Sequence, residues 1–477
     1  MRASISVISI TTLFSCGQEA SRPGLPLESV AQASTARPGV DLLEGVAVVE
    51  PLGTNDPRES MPATAIGIPE AGRCIEDPQF KTRICRVSDA QALGFDGAGV
   101  VPMYSGTPAW NSDESLLLLY APNGNGHHVF RGQPPYEYLG PLGIAANEPE
   151  SVYWDVGEPY RIRWVDKVQK RLMTGVLEQG TPPQVVHDFQ DLCGPASNKL
   201  PFLVETHHWQ SFDGRYWGFK CDPGDGGKKL IAYDLERDRV LWTVPYSGSS
   251  KQGIWGAPMP SPSGRFFVTR QDLLEVRDRD TGEVLRRIEP WTLAFQHMSM
   301  GLAENDGREF DFYVTLYNEG GHGENSALVS IVLETGQIEG SYLAEANGYP
   351  YPPSGIHHSA ISYRQPGYVW TSIIGAQSEV DPSQTDGQSI LGSEILVTDI
   401  TSGRVGRVGH HRSRRGLNPV YNPKFNDYWQ EPHISASPTG CRAVFGSDWS
   451  AGPQAQTPPQ PKVDTYVVEL PCFQRDR

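Results

Sequence analysis

Beyond its first residues, the sequence lacks any apolar run near the roughly 20 residues that a membrane-spanning helix needs. It also lacks a long stretch with the 3.6-residue periodicity of an amphipathic helix. Glycine (50 residues) and proline (40 residues) are abundant instead, which is typical of many short strands joined by turns. The composition therefore argues against a chain built on helices and favours an all-β fold.

Positive charge is also scarce. Lys and Arg total 40 against 56 Asp and Glu, so the formal net charge is -16. Binding to a phosphate backbone needs a basic surface, so we do not expect nucleic acid as a partner. An acidic ligand remains compatible with this balance, because basic residues cluster locally at residues 410–415. That run is interpreted either as a solvated loop or as a surface attractive to a polyanion.

Several motifs with a defined chemistry are missing. The sequence has no phosphate-binding glycine loop, no Gly-x-Ser-x-Gly nucleophile turn and no His-Glu-x-x-His zinc motif. It has no Cys-x-x-Cys either, so neither a zinc knuckle nor a thioredoxin-type redox site is indicated. Any chemistry must therefore come from residues that are far apart in the sequence.

The N-terminus has the pattern of an export signal. Arg2 precedes an apolar-leaning run at residues 5–14, and Ser15 and Cys16 follow. A cysteine directly after a small residue resembles a bacterial lipobox, in which the thiol is lipidated and becomes the new N-terminus. An ordinary cleaved signal is the alternative. The lipobox resemblance implies an exported lipoprotein, and Gly17 after the cysteine suggests retention at the outer membrane.

The sequence predicts three segments. Residues 1–16 are the lipoprotein-type signal, and residues 17–70, rich in Pro, Ser, Ala and Gly, are predicted to be a flexible tether. Residues 71–477 then form one folded domain, whose length is explained by internal repeats rather than by several cores.

The repeats predict the fold. Seven times, an apolar stretch enters a tight polar turn and resumes as an aromatic or β-branched strand. The turns recur every roughly 45–75 residues, the spacing of one four-stranded propeller blade with loop insertions. This pattern predicts a seven-bladed β-propeller of four-stranded antiparallel blades, although a β-sandwich is the alternative. The copies begin at Gly106, Ser151, His207, Gly256, His297, His357 and His433.

Hairpin signals and the chain ends support the propeller. Tight turns flanked by alternating apolar residues predict the hairpin between the last two strands of several blades, around Leu235, Thr281, Gly336 and Gly403. The last blade is one strand short, while residues 80–88 form a lone strand before the first repeat. We therefore expect this N-terminal strand to complete the last blade and close the ring.

Once Cys16 is set aside, the remaining cysteines are an even set. Cys441 begins one predicted strand and Cys472 follows the next, so antiparallel pairing favours a Cys441–Cys472 bridge. Local bridges Cys74–Cys85 and Cys193–Cys221 would follow, and Cys74–Cys472 across the ring closure is the alternative. Structural disulfides in an oxidising compartment are the favoured interpretation.

Histidines recur at a similar offset before four of the seven turns. The first strand of every blade lines the central channel, so residues at one offset lie at a similar depth. Histidines that converge there can bind a transition-metal ion or transfer protons near neutral pH. The alternative is that each is a polar residue hydrogen-bonded to its neighbours. Because side chains alternate along a strand, only one member of each pair can face the channel. The residues concerned are His207, His208, His297, His357, His358 and His433.

The last repeat resembles a known family. Residues 429–440 (WQEPHISASPTG), followed by VFGSDW, look like the last blade of oligogalacturonate lyases, seven-bladed propellers related to the TolB type. In that family a Gln-x-x-His-x-His motif and a histidine from an earlier blade hold a divalent metal, typically manganese. The resemblance implies metal ligation by Gln430 and His433, with His357 or His358 from the earlier blade. Ser435 stands where the second motif histidine belongs.

The resemblance also implies a reaction, β-elimination on a uronate-containing glycan, with an acidic oligosaccharide as partner. The family uses a basic side chain, apparently arginine, to remove the proton. Arg364 is a candidate by position, and His208 or His297 are alternatives. The competing hypothesis is a non-catalytic propeller lipoprotein that binds a glycan or an envelope protein. In either case we expect a monomer that meets the membrane only through its lipid anchor.

Aromatic side chains near the strand starts have two interpretations. They either stack on sugar rings or pack between blades. The residues are Trp110, Trp154, Trp209, Trp255 and Tyr428.

Overall fold

The computed structural model of the chain describes residues 40–49, 66–95, 99–122, 126–144, 149–177, 182–197, 202–203, 210–224, 227–246, 256–270, 273–288, 293–318, 326–342, 357–373, 391–413, 429, 431–449 and 463–475. The helical elements of this part are α1 (Gln190–Cys193), α2 (Pro471–Arg475) and a 3-10 turn at Pro149–Ser151. None of the helices in these residues has the length and apolar character that crossing a membrane requires.

Short strands make up about half of the described residues. In order they are β1 (Ala47–Val49), β2 (Cys74–Glu76), β3 (Arg83–Arg86), β4 (Leu116–Ala121), β5 (Gly126–Arg131), β6 (Tyr138–Pro141), β7 (Val152–Trp154), β8 (Arg161–Asp166), β9 (Arg171–Val176), β10 (Gln184–Asp188), β11 (Phe202–Leu203), β12 (Tyr216–Cys221), β13 (Lys229–Asp234), β14 (Arg239–Pro245), β15 (Met259–Pro260), β16 (Phe266–Arg270), β17 (Leu274–Asp278), β18 (Val284–Ile288), β19 (Leu293–Asn305), β20 (Arg308–Asn318), β21 (Ser326–Val332), β22 (Gln337–Tyr342), β23 (His357–Ser359), β24 (Tyr368–Ser372), β25 (Glu394–Asp399), β26 (Val405–His410), β27 (Ser435–Ala436), β28 (Arg442–Ser447) and β29 (Asp464–Glu469).

These strands form seven antiparallel sheets, the blades of a β-propeller, as the repeats predicted. Blade 1 contains β4 to β6, and a bridge between Trp110 and Leu117 marks its innermost strand position. Blades 2 to 5 contain β7–β10, β11–β14, β15–β18 and β19–β22. Blade 6 contains β23–β26 with β1 added at its outer edge, and blade 7 contains β27–β29 with β3 and β2.

Serine side chains join the innermost strands of neighbouring blades. The amide of Ala360 in blade 6 donates to the Ser299 hydroxyl on β19 at 3.0 Å. The amide of Ala436 in blade 7 donates to the Ser359 hydroxyl on β23 at 2.9 Å. The Ser435 hydroxyl in turn donates to the carbonyl of Thr107, which precedes blade 1, at 3.0 Å. These bonds fix the relative heights of blades 5, 6, 7 and 1 around the channel.

The hydrophobic core is divided among the spaces between blades. Each of the seven junctions between adjacent blades is filled by its own cluster of buried apolar side chains. Trp110, Trp217 and Trp370 are among the largest fully buried side chains. Burial of such side chains is the main favourable term in folding, at roughly 1.5–3 kcal/mol each. Alternation along the strands explains this division, because opposite faces of a blade pack on different neighbours.

The predicted tight turns are present, and glycine is required in them. Gly264 and Gly440 adopt φ values of 71° and 69°, in the left-handed region that side chains with a Cβ rarely enter. A close approach between blades requires another glycine, since a Cβ on Gly218 would lie 1.6 Å from the carbonyl oxygen of Pro258. Blade 4 can therefore contact β12 of blade 3 at backbone distance.

The predicted ring closure is confirmed. β3, from the N-terminal part of the chain, pairs antiparallel with β29, from the C-terminal part, with Val467 opposite Cys85. β2 then pairs with β3 and extends this blade by a fifth strand. Opening the ring would require breaking the β3–β29 ladder and exposing both of its edges.

Part of the segment predicted as a tether belongs to the folded ring. β1 pairs with β26 at the outer edge of blade 6, and Leu42, Leu43 and Val46 are buried in the cluster between blades 6 and 7. Residues 66–70 also lie among the described residues. The sequence did not indicate this, because three residues of edge strand leave no periodic signal. Cys16 and most of the segment from 17 to 70 lie outside the described residues.

The favoured disulfide pairing is confirmed. The bridges are Cys74–Cys85, Cys193–Cys221 and Cys441–Cys472, so the alternative Cys74–Cys472 bridge is wrong. Two of the three bridges lie in blade 7, where Cys441 precedes β28 and Cys472 lies in α2. The blade that closes the ring is thus the most heavily cross-linked.

Removal of the Cys441–Cys472 bridge is expected to destabilise the protein. The bridge closes a loop with a sequence separation of 31 residues. Loops of this size contribute about 3–4 kcal/mol when they restrict the unfolded chain. The paired substitution Cys441→Ser with Cys472→Ser should lower the free energy of unfolding by about that amount in urea titrations. An unchanged unfolding midpoint at an unchanged slope would contradict this expectation.

Candidate functional site

Two histidines and one glutamate meet between the innermost strands of blades 6 and 7. His357 starts β23, and Glu431 and His433 precede β27. The Nε2 atom of His357 lies 2.9 Å from Oε2 of Glu431, and Nε2 of His433 lies 3.4 Å from the same oxygen. The two imidazole centroids are 4.6 Å apart, with the rings nearly perpendicular at 89°. We refer to His357, Glu431 and His433 as the triad.

Strand alternation on β23 selects His357 for the triad. His357 and Ser359 point toward blade 7, where Ser359 accepts the bond from Ala436. His358 points the other way, and its Nδ1 lies 3.1 Å from the Thr371 hydroxyl on β24. Sequence reasoning left open which member of the pair is the candidate ligand, and His357 is the one that lies beside Glu431 and His433.

His433 itself has a left-handed backbone conformation, which sets the direction of its side chain. Its φ is 44°, an uncommon value for a residue with a side chain. The preceding residue is anchored by a bond from the amide of Gly446 to the carbonyl of Pro432 at 2.8 Å. A Cβ on Gly446 would lie 3.5 Å from the carbonyl oxygen of Glu431, so the chain also packs closely on β28 here. This local conformation turns both Glu431 and His433 toward His357.

The triad is removed from solvent. His357 and His433 are 0% exposed and Glu431 is 1% exposed. Burial alone would raise the pKa of the Glu431 carboxyl, but hydrogen bonding and charge from His357 and His433 outweigh it. They hold that pKa far below its ordinary value, so Glu431 remains an anion.

Tyr104 forms one wall of the site. Its ring centroid lies 5.7 Å from that of His357 and 5.3 Å from that of His433. Tyr104 precedes the innermost strand position of blade 1, so three blades of the ring contribute to this site. The phenol ring packs against both imidazoles and restricts their orientation.

The triad could hold a metal ion. One donor atom from each residue lies within 4.8 Å of the other two. Two imidazole nitrogens and a carboxylate oxygen suit manganese, iron and zinc, and three protein ligands leave positions open for other donors. The second such group in the described chain contains Cys74, Cys85 and Glu469, but its sulfurs form a disulfide. The chemistry of the donors therefore fits an ion at the triad.

The other predicted site residues have different positions. Arg364 lies in the turn after β23, at the far end of that strand from His357, and its amide donates to the carbonyl of Pro438. It is therefore not brought to the triad. His297 lies on β19, but its side chain, like His208 and Gln430, lies outside the described residues. Their proposed roles remain predictions.

Sequence reasoning missed Glu431. The resemblance drew attention to Gln430, His433 and the position of Ser435, and Glu431 lies among them. The Ser435 hydroxyl donates a hydrogen bond to the carbonyl of Thr107, which precedes blade 1, so it is not available as a ligand. One signal could have identified Glu431. It is a carboxylate between Gln430 and His433, in a segment where Ser435 stands in place of the second motif histidine.

The structure describes residues 410–413 of the basic run at 410–415, and these residues are not on the surface. His410, His411, Arg412 and Ser413 are all buried, with at most 2% exposure. The His411 ring contacts the carbonyl of Ile373 at 2.7 Å, and burial lowers the pKa of His411 to about 4. Arg412 stacks over Trp449 at 5.2 Å. The interpretation as a solvated loop is therefore wrong for residues 410–413.

The two aromatic residues of this set that the structure describes are packing residues, as the second interpretation predicted. Trp110 and Trp154 are buried between blades, and their indole nitrogens donate to backbone carbonyls at Gly132 and Ala109. They are packing residues rather than sugar platforms. Trp209, Trp255 and Tyr428 lie outside the described residues.

Binding of a metal at the triad is expected to weaken steeply on acidification. The His357 and His433 imidazoles must be neutral to act as ligands, so protons compete with the metal for the same nitrogen atoms. Chelator competition between about pH 5 and pH 8 should show a metal affinity that falls toward acid. The slope should correspond to the release of up to two protons for each ion bound. An affinity independent of pH would contradict ligation by the two histidines.

Comparisons with known proteins reveal similarity in structure but not in sequence. No family model and no curated protein matches the chain. An oligogalacturonate lyase in complex with manganese aligns with a TM-score of 0.52 at 13% identity, covering 84% of this chain and 96% of that chain. The oligogalacturonate lyase of Vibrio parahaemolyticus aligns with a TM-score of 0.51 at 14% identity, with the same coverage.

A more distant structural match is TolB from Acinetobacter baumannii. It has a TM-score of 0.31 at 15% identity over 66% of each chain, which is too low to support an argument. At such identities the similarity to the lyases concerns the fold. The predicted resemblance to oligogalacturonate lyases is thus confirmed at the level of the propeller itself.

Proposed function

We propose that the protein is an exported, carbohydrate-active β-propeller that uses a divalent metal at the triad to cleave a uronate-containing oligo- or polysaccharide by β-elimination. The observation that carries this proposal is that donor atoms of His357, Glu431 and His433 lie within 4.8 Å of one another between blades 6 and 7. The fold similarity to an oligogalacturonate lyase determined with manganese supports it. Manganese is the ion we would test first.

The chain's own residues would prepare the site in three ways. His357 and His433 would present neutral imidazole nitrogens, and Glu431 would supply the anionic oxygen. Burial would exclude water and strengthen the charge interactions in the site. A bound divalent ion would neutralise the uronate carboxylate and make the neighbouring proton more acidic. Gln430 as a further ligand, and His208 or His297 as the base, are part of the same proposal.

Export as a lipoprotein is also part of the proposal. Cys16 follows a short apolar run and a small residue, as in a lipidation signal. The three disulfides support an oxidising compartment outside the cytoplasm. We expect an outer-membrane anchor at Cys16, with the propeller in contact with an acidic glycan. Mass spectrometry of the mature N-terminus would reveal whether Cys16 carries lipid.

A second candidate function is supported by the burial of the triad. All three side chains are at most 1% exposed, and Tyr104 packs on both imidazoles. A substrate cannot contact the donor atoms in this conformation. An ion there would then hold blades 6 and 7 together in a non-catalytic propeller that binds a glycan or an envelope protein.

One experiment separates the two functions. The purified protein would be analysed for bound metal, loaded with manganese, and incubated with polyuronates while the ultraviolet absorbance of the unsaturated product is followed. A metal-dependent rise that is lost in Glu431→Gln would support the lyase. Metal retention without unsaturated product on any polyuronate tested would overturn the lyase proposal and support the binding protein.

A further inference from the structure

Two partly exposed aromatic side chains, one from blade 1 and one from the segment that enters blade 7, contact each other. Tyr120 is near the end of β4, and Trp429 precedes the triad segment of blade 7. Their ring centroids are 5.6 Å apart, with an interplanar angle of 37°. The His127 ring, on β5, lies 5.2 Å from Tyr120. We call Tyr120 and Trp429 the aromatic pair.

The aromatic pair lies at the same end of the ring as the triad. Trp429 is two residues before Glu431 in the sequence. The amide of Tyr120 donates to the carbonyl of Val101 at 2.9 Å, and Tyr104, three residues further on, contacts both triad imidazoles. Both sides of the pair are therefore connected to the triad by short segments of chain, at the same end of the ring.

The exposure of the pair separates it from the packing aromatics. Trp110, Trp154 and Trp217 are at most 2% exposed and belong to the clusters between blades. Tyr120 is only partly buried at the edge of the cluster between blades 1 and 2. Trp429 is partly exposed as well. Part of the aromatic surface thus remains accessible to a ligand.

A pyranose ring matches this surface. One face of many hexopyranoses carries mainly C–H groups, which bear a small positive charge and stack on the negative face of an aromatic ring. The hydroxyl groups at the ring edge stay free to bond with water or polar residues. An aromatic surface next to a polar centre is also the usual composition of a saccharide pocket.

We propose that Tyr120 and Trp429 form a saccharide subsite, which stacks the sugar ring adjacent to the uronate whose carboxylate is directed to the triad. This inference rests on the proposed function for the identity of the sugar, and it assigns two residues that would make the protein bind a uronate oligomer more tightly than a single uronate. Stacking does not require the metal, so the subsite can bind a sugar ring whether or not the triad is catalytic.

The test uses the full-length mature protein and two probes, a uronate monosaccharide and a uronate trisaccharide. Their affinities would be measured by titration calorimetry for the wild type, Trp429→Ala and Tyr120→Ala, all loaded with manganese. Loss of either aromatic surface should weaken trisaccharide binding by about 10-fold or more, with a smaller effect on the monosaccharide. The bound manganese should be unchanged.

Tyr160→Ala is the matched control. Tyr160 is also partly buried, but it lies in the turn before β8, at the opposite end of the blades. Its removal should leave trisaccharide binding at the wild-type level, and thermal unfolding of all variants would check that they are folded.

The outcomes distinguish this inference from the lyase proposal. Weaker trisaccharide binding in Trp429→Ala supports the subsite, and it does so even when the wild type forms no unsaturated product, in which case only the lyase proposal fails. Cleavage by the wild type with unchanged trisaccharide affinity in both aromatic variants overturns the subsite alone. A wild type that binds no uronate trisaccharide overturns the subsite as well.

Discussion

His433→Ala and Glu431→Gln are each expected to weaken metal binding by at least about 100-fold and to abolish any metal-dependent activity. His433→Ala removes one of three donors that lie within 4.8 Å of one another, and Glu431→Gln replaces the single anionic donor of the triad with a neutral amide oxygen, which binds a divalent ion much more weakly. Changes to residues that only support a metal ligand typically cost 10–100-fold, so loss of a ligand should cost at least as much. The measurement is the metal content after dialysis, followed by titration of the metal-free protein.

His358→Ala provides the matched control for this prediction. It removes an equally buried imidazole from the adjacent position of β23, but that ring contacts Thr371 and faces away from the triad. The variant should retain its metal at the wild-type level. Equal metal loss in His357→Ala and His358→Ala would contradict the assignment, because it would indicate general disruption of β23.

Arg442→Met is expected to lower the free energy of unfolding by about 3–5 kcal/mol. Arg442 on β28 and Glu114 in the turn before β4 form an ion pair at 2.6 Å, with both side chains 0% exposed. Arg442 also donates to the carbonyl of Gly132 at 2.7 Å, and its guanidinium lies 4.0 Å from the centre of the Phe473 ring. The substitution leaves the Glu114 carboxylate buried without its cation, which is the main source of the destabilisation.

The direction of the pKa shift supports this reasoning. Burial raises the pKa of the Glu114 carboxyl, but the charge and hydrogen bonds from Arg442 and Thr439 outweigh it and leave that pKa lowered. A lowered folded-state pKa contributes stability above the ordinary pKa of glutamate, and that stability is lost as the pH falls through the folded value. Without Arg442, we expect the variant to be more stable relative to the wild type in acid than at neutral pH.

Two further variants complete the test. Glu114→Gln combined with Arg442→Met should recover part of the lost stability, since no uncompensated charge remains. Arg404→Gln breaks an exposed ion pair with Asp41, whose side chains are 42% and 40% exposed, and should cost at most about 1 kcal/mol. Equal losses in Arg442→Met and Arg404→Gln, measured by urea unfolding, would rule out a special role for the buried pair.

Local patterns predicted most of the fold. Several of the tight turns contain a residue with positive φ, and glycines such as Gly264 and Gly440 occupy that position. The lone strand at residues 80–88 predicted the closure because an antiparallel sheet with a missing strand has one obvious way to be completed. The disulfide pairs followed from the same strand arrangement.

Local patterns failed where burial depends on distant contacts. The run from His410 to Ser413 has the composition of a surface loop, but aromatic and backbone partners from other segments cover it. β1 could not be predicted either, because it is stabilised by pairing with the edge of β26, which is far away in the sequence. The Glu114–Arg442 pair joins residues 328 positions apart, a separation that no window of sequence spans.

The sequence by itself determined that this protein is a closed ring of seven blades with a cross-linked closing blade. Turns and strand alternation are set by a few neighbouring residues, and their regular recurrence along the chain gives the number of blades. It also identified His357 and His433 as candidate ligands. Only the tertiary structure decided that Glu431 joins them and that His358 and Ser435 do not. The reason is geometric: the choice depends on the left-handed backbone at His433 and on how closely blades 6 and 7 pack, and both are set by contacts across the ring.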